Sequence, residues 1–98
     1  TLFVLNFMSL LKSRAERMIP NQKYLLQFGE NVLKRRIALK LSYRQLAQKC
    51  DIDFSAISKI EKGQKSLEFQ TIIELSKGLE IHPKDLFDFD FPLEETGN

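Results

Sequence analysis

Ninety-eight residues, 33 of them Leu, Ile, Val or Phe, make one small domain that is too apolar for a disordered chain. The one cysteine excludes an internal disulfide and suits a reducing, cytoplasmic setting. With a single histidine there is no His/Cys zinc site and no cofactor is expected, and no apolar run approaches the roughly 18 residues of a membrane span. The net charge of +2 hides an asymmetry, with 13 Lys/Arg against 5 Asp/Glu over residues 12–65 and 2 against 8 over residues 66–98. The basic part suggests either a polyanion such as nucleic acid or an ordinary solvated helical surface.

Residues 1–21 run from apolar and uncharged (TLFVLNFMSLL) to basic (KSRAERM). A secretory signal peptide has the reverse order and ends in a small-residue cleavage site. The segment reads either as an upstream extension, with Met8 and Met18 as candidate starts, or as an arm that covers the core or joins two copies. Pro20 and Asn21 mark a boundary. A helix is predicted from about Gln22 or Phe28 to Lys40, with Phe28, Val32 and Leu39 as its buried stripe. In the basic run Lys34-Arg35-Arg36 the first two side chains read as solvated surface.

Ser42 and Gln45 form a capping box, which starts a second helix over about 43–50. Leu46, Ala47 and Cys50 are its inward face, and Cys50 reads as a small buried hydrophobe. Asp51 is expected to turn the chain in the left-handed conformation. Asp53 is placed to cap a third helix over about 54–62, with Ile57 and Ile60 inward. Gly63 follows where a left-handed C-terminal cap favours glycine. A fourth helix is predicted over Phe69 to Leu79, with Ile72, Ile73, Leu75 and Leu79 apolar. In HPKDLF a fifth short helix is expected, with His82 as cap and Pro83 in the first turn. An acidic tail spans 88–98. No Val/Thr/Ile-rich alternation argues for sheet.

Two short helices joined by a tight turn are the helix-turn-helix signature, and LSYRQLAQKCDIDFSAISKIEKG (Leu41–Gly63) fits it. With Ile57-Ser58-x-Ile60-Glu61-x-Gly63 and TIIELSKGLEIHPKDLF after it, the chain from Phe28 to Phe87 resembles the lambda-repressor/Cro-type, or XRE-type, DNA-binding family. The resemblance implies an all-α, five-helix lambda-repressor-like domain over 22–87, here with an extra N-terminal segment. It implies a homodimer on double-stranded DNA and a prokaryotic or phage origin. In this family the second helix of the motif enters the major groove. The base-facing residues would be Asp53, Phe54, Ser55, Ser58 and Lys59. Phosphate contacts would fall to Tyr43, Gln45, Lys62, Gln64 and Lys65. The resemblance also implies a structural ion pair, Arg36 with Glu61. Relatives commonly carry Gly where Asp51 stands, and many carry Gln where Tyr43 stands.

The residue chemistry fits these roles unevenly. Lys59 reaches guanine O6/N7, the two serines donate or accept, and Phe54 suits only a thymine methyl. Lysines and Tyr43 suit phosphates, which set register without reading sequence. Leu86, Phe87, Phe89 and Phe91 are the expected dimer surface, with the N-terminal arm as the alternative. Catalysis has no support, because the one histidine sits in a capping position and no glycine-rich phosphate loop exists. The leading expectation is a sequence-specific, homodimeric transcription regulator. The alternative is a protein-interaction module, or an antitoxin-type partner-binding protein, on the same fold.

Overall fold

The structure, a computed structural model, describes residues 21–93. The N-terminal segment through Pro20 and the tail from residue 94 lie outside the described residues, and with them most of the expected arm. The described residues contain four α-helices and no strand: α1 (Gln22–Ala38), α2 (Tyr43–Lys49), α3 (Phe54–Glu61) and α4 (Phe69–Leu79). The expected fifth helix is a 3-10 turn, Pro83–Phe87, so the count of α-helices is four. None of the described helices is long and apolar enough to cross a membrane.

Local chemistry sets most boundaries. Ser42 Oγ accepts from the Gln45 backbone N–H (3.1 Å) while Gln45 Oε1 accepts from the Ser42 N–H (2.8 Å), closing the capping box that starts α2. His82 Nδ1 accepts from the Lys84 N–H at 3.1 Å and Pro83 opens the 3-10 turn, where a missing N–H costs nothing. Gly63 ends α3 at φ +67°, a conformation that an L side chain resists.

Three local expectations fail. Asp51 is not left-handed; among the described residues only Asn21, Lys40 and Glu80 have positive φ besides Gly63. The chain instead leaves α2 extended at Cys50 (φ −150°), and Glu74 of α4 accepts the Asp51 N–H at 3.0 Å. Asp53 occupies the cap position of α3, but its carboxylate caps no amide and takes the Ser55 hydroxyl instead. Leu39 is 41% exposed, because α1 ends at Ala38 and carries the next side chain off the core stripe.

The core is one cluster in which every described helix takes part: Phe28 and Val32 from α1, Leu46 from α2, Ile57 and Ile60 from α3, and Leu75 and Leu79 from α4, closed by Leu86. Cys50 is only half-buried beside it; its thiol donates to the Leu46 carbonyl, and burial pushes its pKa up, so the thiol stays protonated. Helices α1 and α3 pack closely at Gly29. A Cβ there would meet the Ile60 carbonyl oxygen and lie 2.5 Å from that of Glu61. Here glycine is required by a close approach of two backbones, not by a turn.

Candidate nucleic-acid interface

The frame of the motif hangs on Arg36. Its Nε donates to Glu61 Oε2 at 2.6 Å and its Nη2 to Glu61 Oε1 at 3.0 Å, a bidentate pair between α1 and the last residue of α3. Its third donor, Nη1, reaches the Leu41 carbonyl at 2.7 Å, at the start of the motif. The two side chains keep 11% and 3% of their surface, so the pair is largely desolvated. The Glu61 hydrogen bond holds the Arg36 pKa above its ordinary value despite the opposing cost of burial. The same guanidinium lies over the Tyr43 ring, 4.4 Å from its centroid. One arginine therefore ties α1, the α1–α2 connection, α2 and α3 together, which fixes the angle at which α3 is presented.

The face that α3 turns outward carries most of the residues expected to face bases. Asp53, Phe54, Ser55 and Lys59 are exposed, and Ser58 is half-exposed. Ser55, Ser58, Lys59 and Lys62 recur at i, i+3, i+4 and i+7, so they share one stripe. Ile57 and Ile60 hold the opposite side in the core. Lys62, Gln64 and Lys65 are exposed just beyond the helix, around Gly63. Gln22 of α1 donates to the Gly63 carbonyl at 3.1 Å and steadies that connection. The two phosphate candidates on α2 differ from the others. Tyr43 is half-buried beneath Arg36, and Gln45 has its carbonyl oxygen committed to the capping box, leaving only its amide donors.

Sequence reasoning missed Arg44. It is exposed on the first turn of α2, and its guanidinium carbon lies 4.4 Å from the centroid of the Phe54 ring at the start of α3. The two side chains line a shallow groove of about 260 Å³ between α2 and α3. The available signal was an arginine in the first turn of the motif's first helix with no acid near it in sequence.

The expected dimer surface divides. Leu86 is fully buried within the protomer, at 0% exposure, so it offers nothing to a second copy. Asn31 of α1 donates to the carbonyls of both Asp85 and Leu86, at 2.8 and 2.9 Å, and ties the 3-10 turn to α1. Phe87 is 39% exposed, and Phe89 and Phe91 are partly so. Their rings pack against α1, Phe87 on Phe28 (5.2 Å) and Phe91 on Tyr24 (5.0 Å), with Phe89 stacked on Phe91 (4.4 Å). Together they line an apolar groove of about 300 Å³.

A family model described as Helix-turn-helix matches residues 32–86, more than half of the chain. The chain belongs to the XRE-type helix-turn-helix family of DNA-binding transcription regulators. Among relatives of this helix-turn-helix chain, the control protein C.BamHI of Bacillus amyloliquefaciens is 38% identical over 65 residues, which are 65% of this chain and 80% of that protein. Among solved structures, the restriction-modification controller protein C.AhdI of Aeromonas hydrophila is similar at a TM-score of 0.63 and 33% identity, over 64% of this chain and 96% of that one. A single-residue variant of the controller protein C.Esp1396I gives a TM-score of 0.61 at 26% identity, over 66% of this chain and 82% of that one.

Proposed function

We propose that this protein is a sequence-specific, double-stranded DNA-binding transcription regulator that acts as a homodimer, of the restriction-modification controller class. The observation that carries the reading is the exposed polar stripe of α3, Ser55, Ser58 and Lys59, held at a fixed angle by the buried Arg36–Glu61 pair. Controller proteins among its relatives support the class. In this reading α3 lies in the major groove with its N-terminal residues nearest the base edges and the outward side chains up to Lys59 within reach of them. Lys59 donates to guanine, the serines serve a base or a phosphate, and Asp53 and Phe54 lie at the groove floor. Tyr43, Gln45, Lys62, Gln64 and Lys65 hold phosphates and set register. The domain spans residues 22–87, residues 1–21 are an arm or an upstream extension, residues 88–98 are an acidic tail, and the protein works in the cytoplasm without a cofactor. Phe87, Phe89 and Phe91 supply the surface at which two copies meet, and a dimer of this kind reads half-sites about one helical turn, roughly 34–36 Å, apart.

Selection of binding sites from a random duplex pool, followed by titration of the winner at several salt concentrations, tests the reading. A two-fold symmetric consensus with steep salt dependence is expected. Lys59→Ala then relaxes preference at one position of each half-site, by roughly 10-fold. A pool without an enriched sequence, and weak binding lost at physiological salt, would instead favour a protein-interaction module.

A further inference from the structure

We propose that Arg44, whose guanidinium lies over the Phe54 ring, is a base-reading residue of this interface and takes a guanine. This deepens the operator-binding reading and rests on it. In that reading the first residues of α3 lie nearest the bases, yet Phe54, the first of them, has no hydrogen-bonding group. The donor arrives from the neighbouring helix: the Arg44 guanidinium sits 4.4 Å from the centroid of the Phe54 ring. At that distance the ring quadrupole attracts the cation without using any of its N–H donors.

The contrast with Arg36 is informative. Arg36 has its donors committed inside the fold, to Glu61 and Leu41. Arg44 has no hydrogen-bond or ion-pair partner among the described residues, and what it lies against is the Phe54 ring. The nearest carboxylate in the shared groove, Asp53, is engaged by the Ser55 hydroxyl. The result is a guanidinium with free donors, restrained by a ring that needs nothing from the base, at the end of α3 that reads. Guanine O6 and N7 are two adjacent acceptors that match a guanidinium fork. Phe54 thereby gains a role that its own chemistry withholds, as the shelf that orients the reader. A lysine at position 44 would supply charge without the planar fork.

The experiment takes the wild-type consensus duplex and its single-base variants. Binding of wild type, Arg44→Ala, Arg44→Lys and Phe54→Ala is measured by fluorescence anisotropy at two salt concentrations, with thermal melts to confirm that each variant folds. Arg44→Ala is expected to lose roughly 10-fold or more on the consensus. On duplexes in which one particular G·C pair of each half-site is replaced, it should bind as wild type does. Phe54→Ala should relax preference at the same pair, and Arg44→Lys should not restore it. Equal loss by Arg44→Ala on every duplex, with a salt slope smaller by about 1, would make Arg44 a phosphate contact and overturn the proposal. Unchanged affinity would overturn it as well. Absence of any wild-type consensus would show first, before a variant is made, and would sink the operator reading together with this one.

Discussion

Helix α1 is gripped on two sides by different chemistry. Toward α3 the grip is polar and desolvated: Arg36 forks onto Glu61, and Gln22 holds the Gly63 carbonyl. Toward the 3-10 turn it is aromatic and partly wet, with Tyr24 and Phe28 against Phe91 and Phe87. A buried charge pair is directional and fails steeply when one member is lost, whereas a ring cluster is tolerant and adaptable. The polar side therefore suits a helix that must be held at one angle to a rigid ligand. The aromatic side suits a surface that another protein surface can complete.

The sharpest way to break that contrast is Glu61→Ala. It leaves a buried guanidinium without its counter-charge, and the expected loss of stability is about 3–5 kcal/mol. Chemical denaturation measures it directly; a loss below about 1 kcal/mol would mean that the pair is solvated in solution. A simultaneous Arg36→Met, Glu61→Leu replacement separates the pair's two roles. It removes both charges together, so it should recover much of the stability while loosening the angle of α3. Recovery of DNA affinity along with stability would show that the polar lock is not what orients the helix.

Gly29→Ala comes next. The added methyl would collide with the Ile60 and Glu61 carbonyls, which are backbone and cannot rotate away. Overpacking of this kind costs about 1–3 kcal/mol and should push α1 and α3 apart. At an ordinary exposed helical site the same change would stabilise, since glycine is roughly 1 kcal/mol worse than alanine in a helix. The sign of the effect is thus the readout.

That glycine shows what was legible in the sequence and what was not. The four helices were readable because each carries a local signal: the Pro20–Asn21 boundary and the Phe28/Val32 spacing of α1, the Ser42/Gln45 box of α2, Gly63 after α3, and the apolar spacing of α4, whose expected ends coincide with those observed. Contacts between elements carry no such signal. Gly29 looks like a weak point in a helix until Ile60 is brought against it. Leu86 and Phe87 are consecutive apolar residues, and only the packing against α1, where Asn31 holds the Asp85 and Leu86 carbonyls, shows that Leu86 is the one in the core. Asp51 read as a turn residue because its neighbourhood was local; the carboxylate that takes its N–H comes from Glu74, 23 residues on. In the candidate interface, the outward residues of α3 came from the family resemblance, but Arg44 on Phe54 joins two helices across the turn, and no motif position announces it.

On the aromatic side, Phe87→Ala removes a ring that is 39% exposed and touches Phe28 and Phe91. Self-association and DNA binding are expected to weaken together while the protomer stays folded, because the core below is closed by Leu86. Analytical ultracentrifugation beside a thermal melt reads both. Sedimentation unchanged from wild type would take the dimer surface away from these rings and turn attention to the N-terminal arm.

The smallest expected effect lies on the surface between α2 and α4 and is a matter of pH. The Asp51 N–H, and after it Lys77, hold the Glu74 carboxyl below its ordinary pKa of 4.5. A carboxylate whose pKa is depressed by folding contributes stability that is fully present above its unfolded value and fades as pH falls through the folded one. The contribution is therefore intact at neutral pH, begins to fade below about 4.5, and is lost as pH falls through the lower folded value. Glu74→Gln keeps an oxygen that accepts from Asp51 but no longer titrates, so the gap in melting temperature between wild type and variant should narrow on acidification. A gap that stayed constant from neutral pH into the acid range would mean that Glu74 acts there by shape alone. The turn of the motif would then owe its course to the extended backbone at Cys50, with no help from charge.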